Sequence, residues 1–279
     1  MKKKKLSREQ RRDQLKADIR SHSTGVIVLY VVLRLIVSAA LIWNIIQGSY
    51  ESAFICVLSL VLFMMPSLIE RKLNIDLPNT LEVIVLLFIF AAEILGELSS
   101  YYITYPHWDT MLHTTSGFLT AAVGFAMIDI LNRNSRIKFN LSPIFCAVAA
   151  FCFSMTIGVL WEFFEFSWDV LFHTDMQKDT IVHLIASTAL DPTASNVAVQ
   201  IPNITEVVVN GQSLGLGGYL DIGLYDTMED LFVNFIGATV FSILGYFHIK
   251  HKGKSKIASQ FIPTLNETSP HPDESPEQS

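Results

Sequence analysis

The stretch Trp161-Glu162-Phe163-Phe164-Glu165-Phe166-Ser167-Trp168-Asp169 places three carboxylates among five aromatic rings, within the fifth hydrophobic run of the chain. A helix advances about 100° per residue, so Glu162, Glu165 and Asp169 share a stripe about 60° wide. One face of this helix is acidic and the rest is apolar. Carboxylates in or at the edge of a membrane span are costly unless they face a partner, water or a bound cation, so the stripe is the first place to look for a site.

The rest of the composition sets the class. The chain has 279 residues, 51% hydrophobic and 16% charged, which is too apolar for a soluble domain of this length. We expect an all-α polytopic membrane protein with six transmembrane helices. The first two spans run from about Val26 to Ile46 and Ala53 to Ile69, the third starts near Thr80 with Glu93 and Glu97 at its far end, the fourth opens at Pro106-His107-Trp108, the fifth covers about Pro143 to Phe172, and the sixth begins at Tyr225. Each approaches the roughly 20 residues that a bilayer requires. The first is too long for a signal-peptide core and is read as an anchor.

The chain divides into three parts: a basic cytoplasmic segment 1–23, a six-helix membrane domain 24–252 with an outer loop at about 173–224, and a disordered cytoplasmic tail 253–279 rich in Pro, Ser and Glu. In the first part, Ser7 followed by Gln10 suggests a capping box and a short surface helix up to about Arg20. In the outer loop we expect a short helix near Gln177 to Thr188. The Asn210-Gly211 pair after Val207-Val208-Val209 signals a β-hairpin, part of a small lid over the acidic site.

The net charge of −6 conceals a division between the two sides of the membrane. Every Lys and Arg except Arg34 and Lys178 falls in the N-terminal segment, the 70–79 loop, the 132–140 loop or the stretch from the end of the last span to the C-terminus. The positive-inside rule then makes both termini cytoplasmic, in a multi-pass protein of the cell (inner or plasma) membrane. The run Lys2 to Lys5 beside a span faces anionic lipid headgroups, and no nucleic-acid partner is implied. Membrane lipid is the expected partner, and the sequence names no protein partner. Cys56, Cys146 and Cys152 lie in apolar runs and form no zinc-type spacing.

With this orientation, acidic residues of four helices meet at one depth, the extracytoplasmic ends. Glu93 and Glu97 close span three, Asp109 and His113 open span four, Glu162, Glu165 and Asp169 close span five, and Asp226, Asp230 and Asn234 open span six. Arg34, near mid-bilayer in the first span, needs a partner or a wet cavity unless it snorkels to a headgroup. Trp108, Trp161 and Trp168 read as interfacial belt residues, and His248 and His251 as residues beyond the last span that favour a helix C-terminus.

The motifs Trp108-Asp-Thr-Met-Leu-His-Thr-Thr-Ser-Gly-Phe118, Trp161 to Asp169, and Asp226-Thr-Met-Glu-Asp-Leu-Phe-Val-Asn-Phe-Ile-Gly-Ala238 together resemble the YjdF-type family of uncharacterised bacterial inner-membrane proteins over roughly residues 75–250. That resemblance implies a topology and no activity. A looser likeness to VanZ-type proteins aligns Asp109, His113, Glu162, Asp230, Asn234 and Gly237 with their polar positions. Glu165, where that pattern favours Gln, and the long outer loop depart from it.

Three functions suit these residues. In a metal-assisted site for a lipid-linked or envelope substrate, Asp109, His113, Glu162 and Asp230 hold a divalent metal such as Mn²⁺, Mg²⁺ or Zn²⁺. Glu165 or Asp226 is then the catalytic base, and Glu93, Glu97, Asp169, Asn234 and Arg34 support the polar site. In a structural or interaction protein, the same cluster fixes helix packing. In a proton- or cation-coupled transporter, Glu93, Asp109, His113 and Glu162 relay protons with Arg34 as countercharge.

Overall fold

A computed structural model describes residues 23–73, 75–133, 141–251 and 258–265. The expected N-terminal surface helix and headgroup contacts, and the tail beyond residue 265, lie outside the described residues. The protein is mainly helical. Among the described residues, five helices are long and apolar enough to cross a membrane: Thr24–Ile46, Tyr50–Lys72, Trp108–Asp129, Pro143–Phe172 and Leu224–Lys250.

Helix α1 (Thr24–Ile46) begins where Ser23 Oγ accepts the Val26 N–H at 3.3 Å. The second spanning helix is α2 (Tyr50–Leu62) followed by α3 (Met65–Leu73), broken at Phe63-Met64. Pro66 causes the break, because it has no N–H to give to the carbonyl one turn back. The proline interrupts the span without ending it. After β1 (Ile75–Asp76) comes α4 (Asn79–Ile89), which passes directly into a π-helix over Phe90–Leu98. This split helix occupies the place of the third expected span. A one-turn α5 (Tyr101–Thr104) leads to α6 (Trp108–Arg133). Helix α7 (Pro143–Phe172) has Ser142 as its N-cap and Pro143 in its first turn. Helix α8 (Leu224–Lys250) includes His248, which is buried in its last turn rather than lying beyond it.

Among the described residues, the longer helices pack in two groups. Leu33, Val37, Cys56, Phe63, Leu86, Ile89 and Ile94 pack α1, α2 and the α4–π helix together. Ala121, Ala122, Phe125, Cys146, Ala150, Ala238 and Phe241 form the core of α6, α7 and α8. Lipid is as apolar as these side chains, so close packing rather than escape from water must hold the second group together. Its glycines allow this. A Cβ on Gly237 would strike the Thr114 carbonyl, one on Gly117 the Asn234 carbonyl, and one on Gly245 would lie 2.7 Å from the Phe125 ring.

One end of the molecule gathers Ser23, whose N–H donates to Asn79 Oδ1 at 3.3 Å, and the antiparallel pair of β1 with β8 (Thr264–Leu265). The segment 258–265 lies within the tail expected to be disordered, and the structure corrects that expectation. Ile262 is 3% exposed in the α6–α8 core, and the Phe261 ring meets Phe118 edge-on at 5.0 Å. Two large apolar side chains find a packed site there, whatever the polar composition around them.

The opposite end carries the lid. Strands β2 (Ile181–Val182) and β7 (Tyr219–Leu220), β3 (Leu184–Ser187) and β4 (Val199–Pro202), and β5 (Val208–Val209) and β6 (Gln212–Ser213) form three antiparallel pairs. Asn210 and Gly211 have φ of 52° and 82°, the left-handed pair that a two-residue hairpin demands, as the sequence predicts. The helix expected near Gln177 to Thr188 is instead β2, β3 and a 3₁₀ turn at Thr188–Leu190. Its residues alternate in exposure with a period of two, which a helix could not satisfy. Between β3 and β4, Asp191 accepts hydrogen bonds from the Thr193 hydroxyl at 2.6 Å, the Thr193 N–H at 2.9 Å and the Ser195 N–H at 2.8 Å. These donors, the Thr193 hydroxyl first, hold its carboxyl well below the usual range.

Gly237→Ala should lower stability in detergent by about 1–3 kcal/mol, because its methyl meets fixed backbone, whereas Gly25→Ala, whose methyl would make only an ordinary contact with Ser23 Oγ at 3.8 Å, changes it by less than about 0.5 kcal/mol; thermal unfolding of the two variants checks this. The depressed Asp191 carboxyl stabilises the β3–β4 turn above the unfolded-state value of about 3.9, and that support is lost as pH falls through its folded value. Hydrogen exchange at Thr193 and Ser195 should therefore quicken at pH values below that range, and Asp191→Ala should quicken it at neutral pH.

Candidate functional site

Each helix of the α6–α8 group brings a pair of polar side chains, one turn apart, to the seam beneath the lid. Helix α6 supplies Asp109 and His113, α7 supplies Glu162 and Glu165, and α8 supplies Asp226 and Asp230. The spacings of three and four residues put each pair on one face. His113 lies at the centre. Its Nε2 is 3.5 Å from Asp109 Oδ1 and 3.7 Å from Asp230 Oδ2, and its Nδ1 is 4.0 Å from Glu162 Oε1.

Two groups of potential ligand atoms result. His113, Glu162, Glu165 and Asp230 each offer one atom within 4.8 Å of the others, and Asp109, Asp226 and Asp230 do the same. Glu162, Glu165 and Asp230 are 5%, 8% and 2% exposed. Within this buried set, Glu162 Oε2 and Asp230 Oδ2 accept no hydrogen bond among the described residues. Buried carboxylate oxygens normally have donors, so these two call for an explanation.

Helix packing fixes the floor. Asn234, one turn below Asp230, is wedged between two glycines: a Cβ on Gly158 would stand 2.7 Å from its Nδ2, and one on Gly117 would overlap its carbonyl. Its Nδ2 donates to Met155 Sδ at 3.5 Å. Below it, Ser154 Oγ donates to the Gly117 carbonyl and meets Thr120 Oγ1, both at 2.8 Å.

The lid supplies the roof. Asp169 accepts the Thr174 hydroxyl at 2.7 Å and the N–H groups of Met176 and Gln177 at 2.7 and 2.9 Å. Asp226 Oδ2 accepts the Lys178 N–H at 2.7 Å, and Gln177 Nε2 donates to Thr227 Oγ1 at 2.5 Å. Gln177 and Thr227 stand beside Glu162. The Lys178 side chain is within electrostatic reach of Asp109, Asp226 and Glu97, with its Nζ held by Asp175.

Most of the residues singled out from the sequence therefore converge. Glu165 belongs with the His113 group and Asp109 with the second group, which exchanges their positions relative to the expected ligand set. Asp169 acts as a lid anchor and Asn234 as the floor. Glu97 and Glu93 approach from the π-helix without entering either group. Arg34 is not brought to the site: its guanidinium lies 4.9 Å from the Tyr30 ring centroid. Helical side chains lean towards the N-terminus, and the N-terminus of α1 is at the end away from the lid.

Tyr102, Gln177, Lys178 and Thr227 were not singled out from the sequence. Tyr102 packs its ring on the Gly96 backbone, within reach of Asp109, Glu97, Glu93 and Glu165. No periodic signal marks it, because it sits in a single turn of helix. On α7, the rings of Trp161, Phe164, Trp168 and Phe172 form an exposed ladder with successive centroids 5.3, 5.5 and 4.4 Å apart, flanking the acidic stripe.

Comparison with known proteins adds one finding. No curated protein matches the chain, and no solved structure does. The model of a family described as "Predicted membrane protein (DUF2238)" matches residues 29–251, most of the chain and every residue of the cluster. The protein belongs to this DUF2238 family of predicted membrane proteins.

Proposed function

We propose that the cluster is a divalent-cation site serving a metal-assisted reaction on a lipid-linked or envelope substrate. The protein sits in the inner or plasma membrane with six spans, the split helix Asn79–Leu98 being the third, and with both termini cytoplasmic. The site then opens at the outer leaflet. The observation that carries the reading is the pair of undonated oxygens, Glu162 Oε2 and Asp230 Oδ2, on side chains almost wholly buried beside His113. A cluster built only to fix helix packing would satisfy its polar atoms, since an undonated buried acceptor costs about 1–3 kcal/mol. A cation satisfies them and offsets the burial of charge.

His113, Glu162, Glu165 and Asp230 form the ligand set, one imidazole with carboxylates, which suits Mn²⁺, Mg²⁺ or Zn²⁺. Such an ion would acidify a bound water, to near neutral pH in the case of Zn²⁺, and would polarise a carbonyl or phosphoryl oxygen. Glu165, one turn nearer the lid than Glu162, would bind through one oxygen and keep the other to accept the proton of that water. Asp226 is less suited to this role, because one of its oxygens already accepts the Lys178 N–H. The aromatic ladder beside the acidic stripe supports a substrate arriving along the bilayer. A relay across the membrane is disfavoured, because Ala121, Phe125, Ala238, Phe241 and Ile262 fill the bundle interior below the floor.

The detergent-purified protein should contain stoichiometric metal by mass spectrometry, and His113→Ala should lose it while keeping a monodisperse size-exclusion profile. Absence of metal from the wild type across several growth media would overturn the reading. In metal-stripped protein, Glu162→Gln should raise thermal stability, by an amount on the order of 1 kcal/mol, because it removes one of several crowded charges. A packing role predicts a loss of stability instead.

A further inference from the structure

The proposed cation at His113 leaves part of the cluster unexplained. Asp109 and Asp226 lie outside its ligand set, yet each offers an oxygen within 4.8 Å of one on Asp230, the only residue common to both groups. Asp226 Oδ2 is committed to the Lys178 N–H at 2.7 Å, which orients the carboxylate and leaves Oδ1 available. Asp109 is held from the other side by the His113 ring, 3.5 Å from its Oδ1. Asp230 is 2% exposed, and its Oδ2 has no hydrogen-bond donor among the described residues.

Charge points the same way. Five carboxylates, of Asp109, Glu162, Glu165, Asp226 and Asp230, meet at the seam of three apolar helices. One divalent cation leaves three negative charges uncompensated, whereas two leave a single charge. Charges this close interact strongly where water is excluded, so the difference is large. The spacing is also compatible. Ligands on an octahedral ion with bonds of about 2.1 Å stand about 3 Å apart when adjacent and about 4.2 Å apart when opposite, so atoms within 4.8 Å of one another are close to coordinating separation.

We propose that the site binds two divalent cations bridged by the Asp230 carboxylate, one on His113, Glu162 and Glu165, the other on Asp109 and Asp226. This deepens the single-cation reading and rests on it. The two positions differ in chemistry: the first has an imidazole, and the second has oxygen ligands alone, so hard ions such as Mn²⁺ and Mg²⁺ suit it best. Carboxylate-bridged ions about 3.5–4 Å apart can clamp both the attacking and the leaving oxygen of a displacement at phosphorus or carbon, and lipid-linked phosphoesters are the class of substrate this arrangement fits.

The test is to titrate the metal-stripped, full-length protein in detergent with Mn²⁺, following bound metal by equilibrium dialysis and its environment by electron paramagnetic resonance. The expected result is two ions per chain, with the six-line signal of an isolated Mn²⁺ at one equivalent giving way to an exchange-coupled multiline signal at two. Asp226→Asn should bind one ion and keep the six-line signal. Saturation of the wild type at one ion, or two ions with no coupling, overturns the bridged pair while leaving the single-cation site standing. No binding at all overturns both. The wild-type titration decides the matter even if the variant does not fold.

Discussion

Repulsion among buried carboxylates is the constraint on which this structure turns. Three helices that could pack as ordinary apolar rods instead direct acidic side chains at one another, in surroundings that weaken solvent screening. Nothing favours that arrangement unless other forces hold the helices together. The forces lie just beneath it. Gly117 and Gly158 admit Asn234, and Gly237 presses on the Thr114 carbonyl, so backbone meets backbone at the level where the charges begin to repel. The tightest packing and the greatest electrostatic strain occupy adjacent turns of the same helices.

The lid depends on the same constraint. Asp169 and Asp226 stand at the lid ends of α7 and α8, and both are occupied by N–H groups of the segment 176–178. Charge-assisted hydrogen bonds of this kind are among the stronger polar contacts. They tie the first turn of the lid to the two helices that carry the buried acids. The β-strand pairs beyond are small and exposed, so the lid derives its position from its anchors more than from a core of its own.

Much of this was legible in the sequence, and the remainder was hidden for physical reasons. Apolar runs of adequate length marked the spanning helices, and the one-turn spacing of Asp109/His113, Glu162/Glu165 and Asp226/Asp230 marked three faces that the structure brings together. The Asn210-Gly211 turn was visible because few residue pairs tolerate two left-handed conformations. Arg34 misled because charge says nothing about direction along a helix. Phe261 and Ile262 were concealed by polar neighbours, since average composition does not register two well-placed side chains. The roles of Asn234 and its two glycines depend on which helix faces which, and a single sequence carries no such information.

The π-helix over Phe90–Leu98 has a consequence for how this chain can vary. A π-helix holds an extra residue relative to the α-helix from which it continues. One residue more there, with the winding unchanged, would turn everything beyond it by roughly a quarter turn. Glu97 would swing away from Asp109 and Lys178, and Tyr102 would lose its seat on Gly96. In the two-group architecture, this short segment sets the angular register between the α1–α4 half and the acidic seam. A side chain at Gly96 would strike the Tyr102 ring, and a residue added to the segment would rotate one half of the protein against the chemistry of the other.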